Sequence, residues 1–337
     1  MPFHEPTIGE IYRTILRGVS ALILHERWFT NEARFPVQFE HWNSAGSLVP
    51  VAVAVGITVV AAVLWRTGGL RSVIAGPVRL GMPRENYARL LSWMPLVIGL
   101  HMGITLLASG VSMQLFIPNL ALPVNLLGGV LGFMEIAIAL SFIYGALTRV
   151  AAAALALLWL VGAIVFGPLR LIEHTEILGV AFFLFVTGRG PLAFDVAFEK
   201  LSRPVARLAP YAVPVLRVCL GVGLVVVALT EKLWNIPMGL AFLADHHFNF
   251  FPAIGLAWID DAKFLMIAGA AELTVGLMLI SGAYIRLLIL VTLVPFNLTL
   301  PFLGWRELVG HLPTYGILAL LLIWGDERRN ARGEIAG

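Results

Sequence analysis

Residues 124–147 read VNLLGGVLGFMEIAIALSFIYGAL, apolar almost throughout, with one acidic residue, Glu135, at the centre and Gly145 near the end. A helix needs about 20 residues to cross a bilayer. In lipid a helix satisfies its own backbone polar groups, whereas an open sheet leaves an edge unpaired. The run therefore predicts a membrane-spanning helix, and it occurs twice. Gly132-Phe-Met-Glu135 through Gly145-Ala-Leu-Thr-Arg149 returns as Gly269-Ala-Ala-Glu272 through Gly282-Ala-Tyr-Ile-Arg286, displaced by 137 positions (135 to 272, 145 to 282, 149 to 286). The same displacement relates Gly167 to Gly304, His174 to His311, Gly179 to Gly316 and Gly188 to Gly325. Several residue types recurring in one register imply a duplication.

Composition points the same way. Hydrophobic residues are 59% of the 337 and charged residues 13%, with a mean hydropathy of +0.89. A soluble domain needs about 25% charged residues to stay in water, so the expected partner of this surface is the lipid bilayer. A net charge of +3 gives no reason to expect nucleic acid. The single Cys219 excludes an intrachain disulfide and any CxxC motif. GxxxxGK[ST], GxGxxG, HExxH and GxSxG patterns are absent, which argues against nucleotide hydrolysis or a dinucleotide-binding fold within this chain.

Spanning runs read at 48–65, 89–110, 124–147, 150–167, 168–187, 213–233, 263–284, 286–303 and 308–324. The predicted fold is an all-α integral membrane protein of about nine transmembrane helices. It comprises two tandem, parallel four-helix bundles, residues 85–195 and 205–325, plus one extra N-terminal helix at 48–66. An even number of crossings per unit gives both the same orientation. Residues 1–47 read as an extramembrane segment with an interfacial amphipathic helix at Ile8–Leu24, and 326–337 as a tail. Arg66, Arg71, Arg79, Arg84, Arg89, Arg149, Arg189, Lys200, Arg203, Arg207, Arg217, Arg286, Arg328, Arg329 and Arg332 fall to one side, against Arg170, Lys232, Lys263 and Arg306 in loops on the other. Positive residues favour the cytoplasm, so the expected setting is a bacterial-type cytoplasmic (inner) membrane with the C-terminus cytoplasmic.

The repeated pattern resembles the DoxX family of small membrane proteins. Its marks are an opening helix with an early Arg, glycines and a late Lys, then a helix E-x9-G-x3-R, then a last helix beginning with His. The second copy carries Arg217, Gly221, Gly223 and Lys232, then Glu272, Gly282 and Arg286, then His311. The first carries Arg89, Gly99 and Gly103, then Glu135, Gly145 and Arg149, then His174, with His101 near the position where a Lys is expected. The resemblance implies a membrane subunit of a quinone-linked or thiol-linked redox system. Electrons would come from a separate protein partner, with a quinone or a metal as the cofactor to consider.

Glu135 and Glu272 sit at mid-helix, where an acidic side chain costs about 2.5–3.5 kcal/mol and so faces the bundle with a partner. Each reads either as a proton-accepting or ligand-holding carboxyl group or as a structural one satisfied between helices. His174 and His311 read as a proton relay, a quinone hydrogen bond or a metal ligand, or as a helix-end His in a polar cluster. His101 shares a polar face with Thr105 and Ser109. If that face meets Glu135 and His174, the first copy holds two His and one carboxylate. Glu135, His174 and His101 are therefore the expected catalytic set, and Glu272, His311 and Lys232 the binding set, with Lys232 pairing Glu272. Two other readings stand beside the redox one: a small-solute transporter and a non-catalytic membrane scaffold.

Overall fold

The structure, a computed structural model, describes residues 14–16, 19, 25–30, 34–68, 73–198 and 203–325. The segment Ile8–Leu24, read as interfacial, lies almost wholly outside them, as does the tail 326–337. Among the described residues the chain is helical, with an isolated bridge between Gln114 and Ala121 in place of any strand. The helices are α1 (Ala45–Thr67), α2 (Arg84–Ser92), α3 (Met94–Val111), α4 (Leu126–Tyr144), α5 (Thr148–Phe166), α6 (Pro168–Ile172), α7 (Thr175–Thr187), α8 (Ala212–Val227), α9 (Ile236–His246), α10 (Asp261–Ser281) and α11 (Ile285–Trp324). Seven are long and apolar enough to cross a membrane, α2 and α3 counting as one. The chain is a multi-pass helical membrane protein.

Local chemistry sets the helix ends. Asn125 caps α4 by accepting the N–H of Gly128 at 3.1 Å, satisfying a donor that the first turn leaves without a partner. Gly145 closes α4 in the left-handed region at φ 68°, and Leu147 opens α5 at φ 54°. The same geometry recurs 137 residues later, with Gly282 at φ 76° and Tyr284 at φ 51°. Gly167, at φ 97° and ψ 143°, ends α5. Its counterpart Gly304, at φ 69° and ψ −146°, breaks α11 internally, so that its two parts flank a non-helical residue. These backbone angles are strained for a residue with a Cβ.

The chain divides into two compact units. The first is Met1–Val60, Leu224–Leu277 and Leu290–Glu307; the second is Ala61–Gly223, Met278–Ile289 and Leu308–Gly337. In the second unit α3 and α4 approach closely through glycine. A Cβ on Gly103 would lie 3.1 Å from the Ala139 carbonyl, and one on Gly110 3.0 Å from that of Gly132. Small residues permit such contact in the absence of a hydrophobic drive between helices in lipid.

Four arginines plug helix C-termini. Arg149 Nε donates to the Phe185 carbonyl at 3.0 Å, and Arg286 Nε to Leu322 at 3.1 Å, again 137 residues apart at both donor and acceptor (149 to 286, 185 to 322). Arg189 donates to Phe142 and Ile143 at the end of α4, at 2.8 and 2.7 Å. Arg217 donates to Leu279 and Ile280 at the end of α10. Carbonyls at helix ends have no partner within the helix, and a guanidinium satisfies several at once. Arg149 and Arg286 read in sequence only as positive helix ends; their hydrogen bonds hold neighbouring helix termini.

Candidate functional site

Among the described residues of the first unit, and apart from the buried Glu307, six buried ionisable side chains come from three stretches of chain. The turn Glu26–Trp28, with His25 before it, supplies His25, Glu26 and Arg27. The turn that follows α8 supplies Glu231 and Lys232, and α10 supplies Glu272. α8 does not end as a regular helix. Residues Ala228–Leu233 form a π turn, a widened turn often found at functional sites. In a regular helix successive side chains point about 100° apart, so one of two neighbours usually faces outward. Here Thr230, Glu231 and Lys232 are all 1% exposed or less.

Lys232 Nζ donates to Glu272 Oε2 at 2.9 Å, the pairing expected from sequence. Glu231 has separate partners. Its Oε1 lies 3.3 Å from His25 Nδ1 and 3.9 Å from Arg27 Nε, and its Oε2 accepts the Arg27 N–H at 3.2 Å. His25 stacks on Trp28, their ring centroids 4.4 Å apart, which fixes the turn. Glu26 is 2% exposed, and its Oε2 is buried without a hydrogen-bond partner. Burial pushes its carboxyl up to about 8 against the counter-effect of Lys232, while Glu231 and Glu272 push it the same way as burial. Gly239 makes the space, since a Cβ there would lie 2.8 Å from Glu26 Oε2. A charge in an apolar interior is tolerated only when paired and hydrogen-bonded. Five of these groups meet that condition in part, and Glu26 is the one whose oxygen does not.

The second unit holds the first-copy residues. Glu135 is fully buried and faces the bundle with Gly128, Gly132 and Ala139. Its Oε1 accepts the Phe116 N–H at 2.7 Å, from a residue at φ 63°, while Oε2 is buried without a partner. His101 faces elsewhere. Its Nδ1 bonds the Val97 carbonyl at 2.7 Å, and its Cβ would lie 3.3 Å from one added at Gly316. Thr105 on the same face donates to the Val309 carbonyl at 2.8 Å. The polar stripe of α3 thus meets the last part of α11 rather than Glu135. His174 stands at the start of α7, its Nδ1 3.2 Å from Glu176 Oε1, and its carbonyl accepts the Trp159 indole N–H at 3.1 Å. His311 is buried, 4% exposed. Among the described residues no group of three or more His, Cys, Asp or Glu is disposed to hold a metal ion. His101, Glu135 and His174 therefore do not form the three-ligand set considered from sequence, and these residues do not fit a metal.

A separate cavity of about 420 Å³ in the second unit is lined mainly by apolar groups, among them Leu91, Pro95, Phe183 and Leu320, with the hydroxyls of Ser92 and Thr187. Its size is in the range of ligand pockets. His246, from the His246–His247 pair, is packed among aromatic rings, its centroid 4.5 Å from Phe242 and 5.8 Å from Phe248.

The residue pattern alone picked out Lys232, Glu272 and Glu135, but not Glu231, His25, Glu26 or Arg27. No family model matches this chain, and neither curated proteins nor solved structures match it.

Proposed function

We propose that this chain is a DoxX-like membrane subunit of a quinone-linked or thiol-linked redox system, and that its own contribution is proton exchange at the buried charged cluster of the first unit. A partner protein supplies the electrons. Reducing a quinone to a quinol takes two electrons and two protons, and in an apolar protein the protons need a path of ionisable groups. The observation that supports this reading is the gathering of His25, Glu26, Arg27, Glu231, Lys232 and Glu272, all buried, in a chain that is only 13% charged. Ionisable groups inside membrane segments are expensive and mark ion or proton pathways. The apolar cavity beside Phe183 and Leu320 suits a lipophilic ring and its tail.

In the membrane the proposal has nine crossings: the seven long helices, a second from the break of α11 at Gly304, and α7 as the ninth. They form two parallel four-helix units after one extra helix, in a bacterial-type inner membrane with the C-terminus in the cytoplasm. A cysteine introduced in the 190–210 connection would then be labelled from the same side as the tail. Labelling from opposite sides would end both the topology and the parallel repeat.

The functional test starts with the full chain purified in mild detergent with its lipids. Co-purifying quinone, together with quinone-dependent turnover that falls in Lys232→Met and Glu272→Gln, supports the proposal. Solute flux in liposomes without quinone turnover would replace it with a permease.

A further inference from the structure

Among the described residues the cluster holds three carboxylates, two permanent cations and one base that can be neutral, His25. The carboxylates are Glu26, Glu231 and Glu272, and the cations Arg27 and Lys232. Glu231 stands on His25 and Arg27, and Glu272 on Lys232. Glu26 is the carboxylate of the three that leaves a buried oxygen without a hydrogen-bond partner. With all three ionised and His25 neutral, the cluster would carry one uncompensated negative charge in a low-dielectric interior, where Coulomb energies are several times those in water. One added positive charge removes it.

We infer that the N-terminal turn completes the site, with Glu26 as the carboxyl group that takes up and releases a single proton on behalf of the cluster. A proton fits where a metal cation does not. Glu26 Oε2 is the unbonded oxygen in question, and Gly239 stands so close that a methyl group there would already press on it. A sodium or potassium ion would need several oxygen ligands in that space. Among the described residues the charged groups that bear on Glu26 are Lys232 and Glu231 from the π turn and Glu272 from α10; His25 and Arg27 are its neighbours in the turn, and α9 presents the backbone of Gly239. The carboxyl rises to about 8 mainly through burial, which puts its titration within reach of neutral conditions, where a proton-exchanging group is most effective. The consequence is that a segment outside the duplicated units carries part of the chemistry.

The inference rests on the proton-exchange reading above, but its test does not require the redox partner. Infrared difference spectra of the full chain, taken while pH is raised through about 8, should show a protonated carboxyl band that disappears. The band should be lost in Glu26→Gln, survive in Glu40→Gln, whose carboxylate is exposed, and be independent of sodium. A band that survives Glu26→Gln, or that follows sodium concentration, overturns the assignment. Gly239→Ala keeps every titratable group and crowds Oε2, so it should move the midpoint; an unmoved midpoint also counts against Glu26. If the band behaves as expected while quinone turnover is absent, the redox reading fails and the proton site stands. If quinone turnover is present with no such band, the proton site fails and the redox reading stands.

Discussion

Glu135 and Glu272 occupy equivalent positions in two helices that end alike, and they live in different chemistry. Both helices close on a glycine in the left-handed region, Gly145 and Gly282, and both have their last carbonyls held by an arginine. The arginines come from different places: Arg189 lies beyond α7, while Arg217 lies on α8. Glu135 accepts one backbone N–H and keeps a bare oxygen, whereas Glu272 meets the ammonium group of Lys232. Backbone geometry has thus been repeated while side-chain chemistry has diverged. Turn geometry tolerates few residues, and a buried carboxyl group can be satisfied in several ways.

The strongest way to test that contrast is to remove the cation. Lys232→Met should destabilise the protein by about 3–5 kcal/mol, because a buried charge is left without its partner. Lys232→Met combined with Glu272→Met should recover most of that loss, as read by thermal melting of the protein in detergent. If the single and double substitutions melted alike, Glu272 would not depend on Lys232.

The second effect is on pH. Glu26 has its folded value raised from 4.5 to about 8, so the folded protein holds this proton more tightly than the unfolded chain does. Its contribution to stability is fully present below about 4.5, declines as pH rises, and is lost above about 8. Melting temperature should therefore fall between those values, and Glu26→Gln should flatten that portion of the curve. An unchanged slope in the variant would assign the proton elsewhere.

In the first copy the effects are smaller. Glu135→Leu strands the buried Phe116 N–H and should cost about 1–3 kcal/mol, the penalty for an unsatisfied donor. Glu135→Gln keeps an acceptor there, so abundance and melting should change little. Equal melting of the Leu and Gln variants would show that the hydrogen bond carries no weight.

Leu147 and Tyr284 give the finest comparison, since both sit at positive φ. Leu147 is exposed, and Leu147→Gly should gain up to about 1 kcal/mol by relieving the backbone. Tyr284 packs on Trp65, centroids 5.3 Å apart, so the same change there should lose more than it relieves. A gain at both positions would mean that the Tyr284 contact contributes nothing.

Most of the helices were legible in the sequence because lipid leaves few alternatives to a helix for an apolar run; the run 168–187 was an exception, since it breaks at Glu173 and His174 into two short helices. The 137-residue recurrence carried the positions of Gly145, Gly167, Gly282 and Gly304 as well. Lys232 and Glu272 could be paired because Glu272 recurs at the 137-residue spacing and Lys232 stands at the late Lys of the family pattern that the second copy resembles. The rest of the cluster could not be read in this way. A regular helix would point Glu231 about 100° away from Lys232, and nothing in the sequence announces a π turn. Arg27 and Glu231 lie 204 residues apart, so no local spacing could relate them. His101 failed for a similar reason: its polar stripe was real, but helix periodicity does not say which neighbour a stripe will face.

The π turn has a consequence for how this gene can vary. A π turn is an α-helix holding one residue too many, and a single-codon deletion within 228–233 would let α8 close into regular form. With the deletion at 228–230, the side chains that remain within the turn would change face by up to about 100° about the axis, carrying the ammonium group of Lys232 off its carboxylate without removing one of the charged residues. Substitutions would erode the cluster one group at a time, whereas the loss of three nucleotides would dismantle it at a stroke.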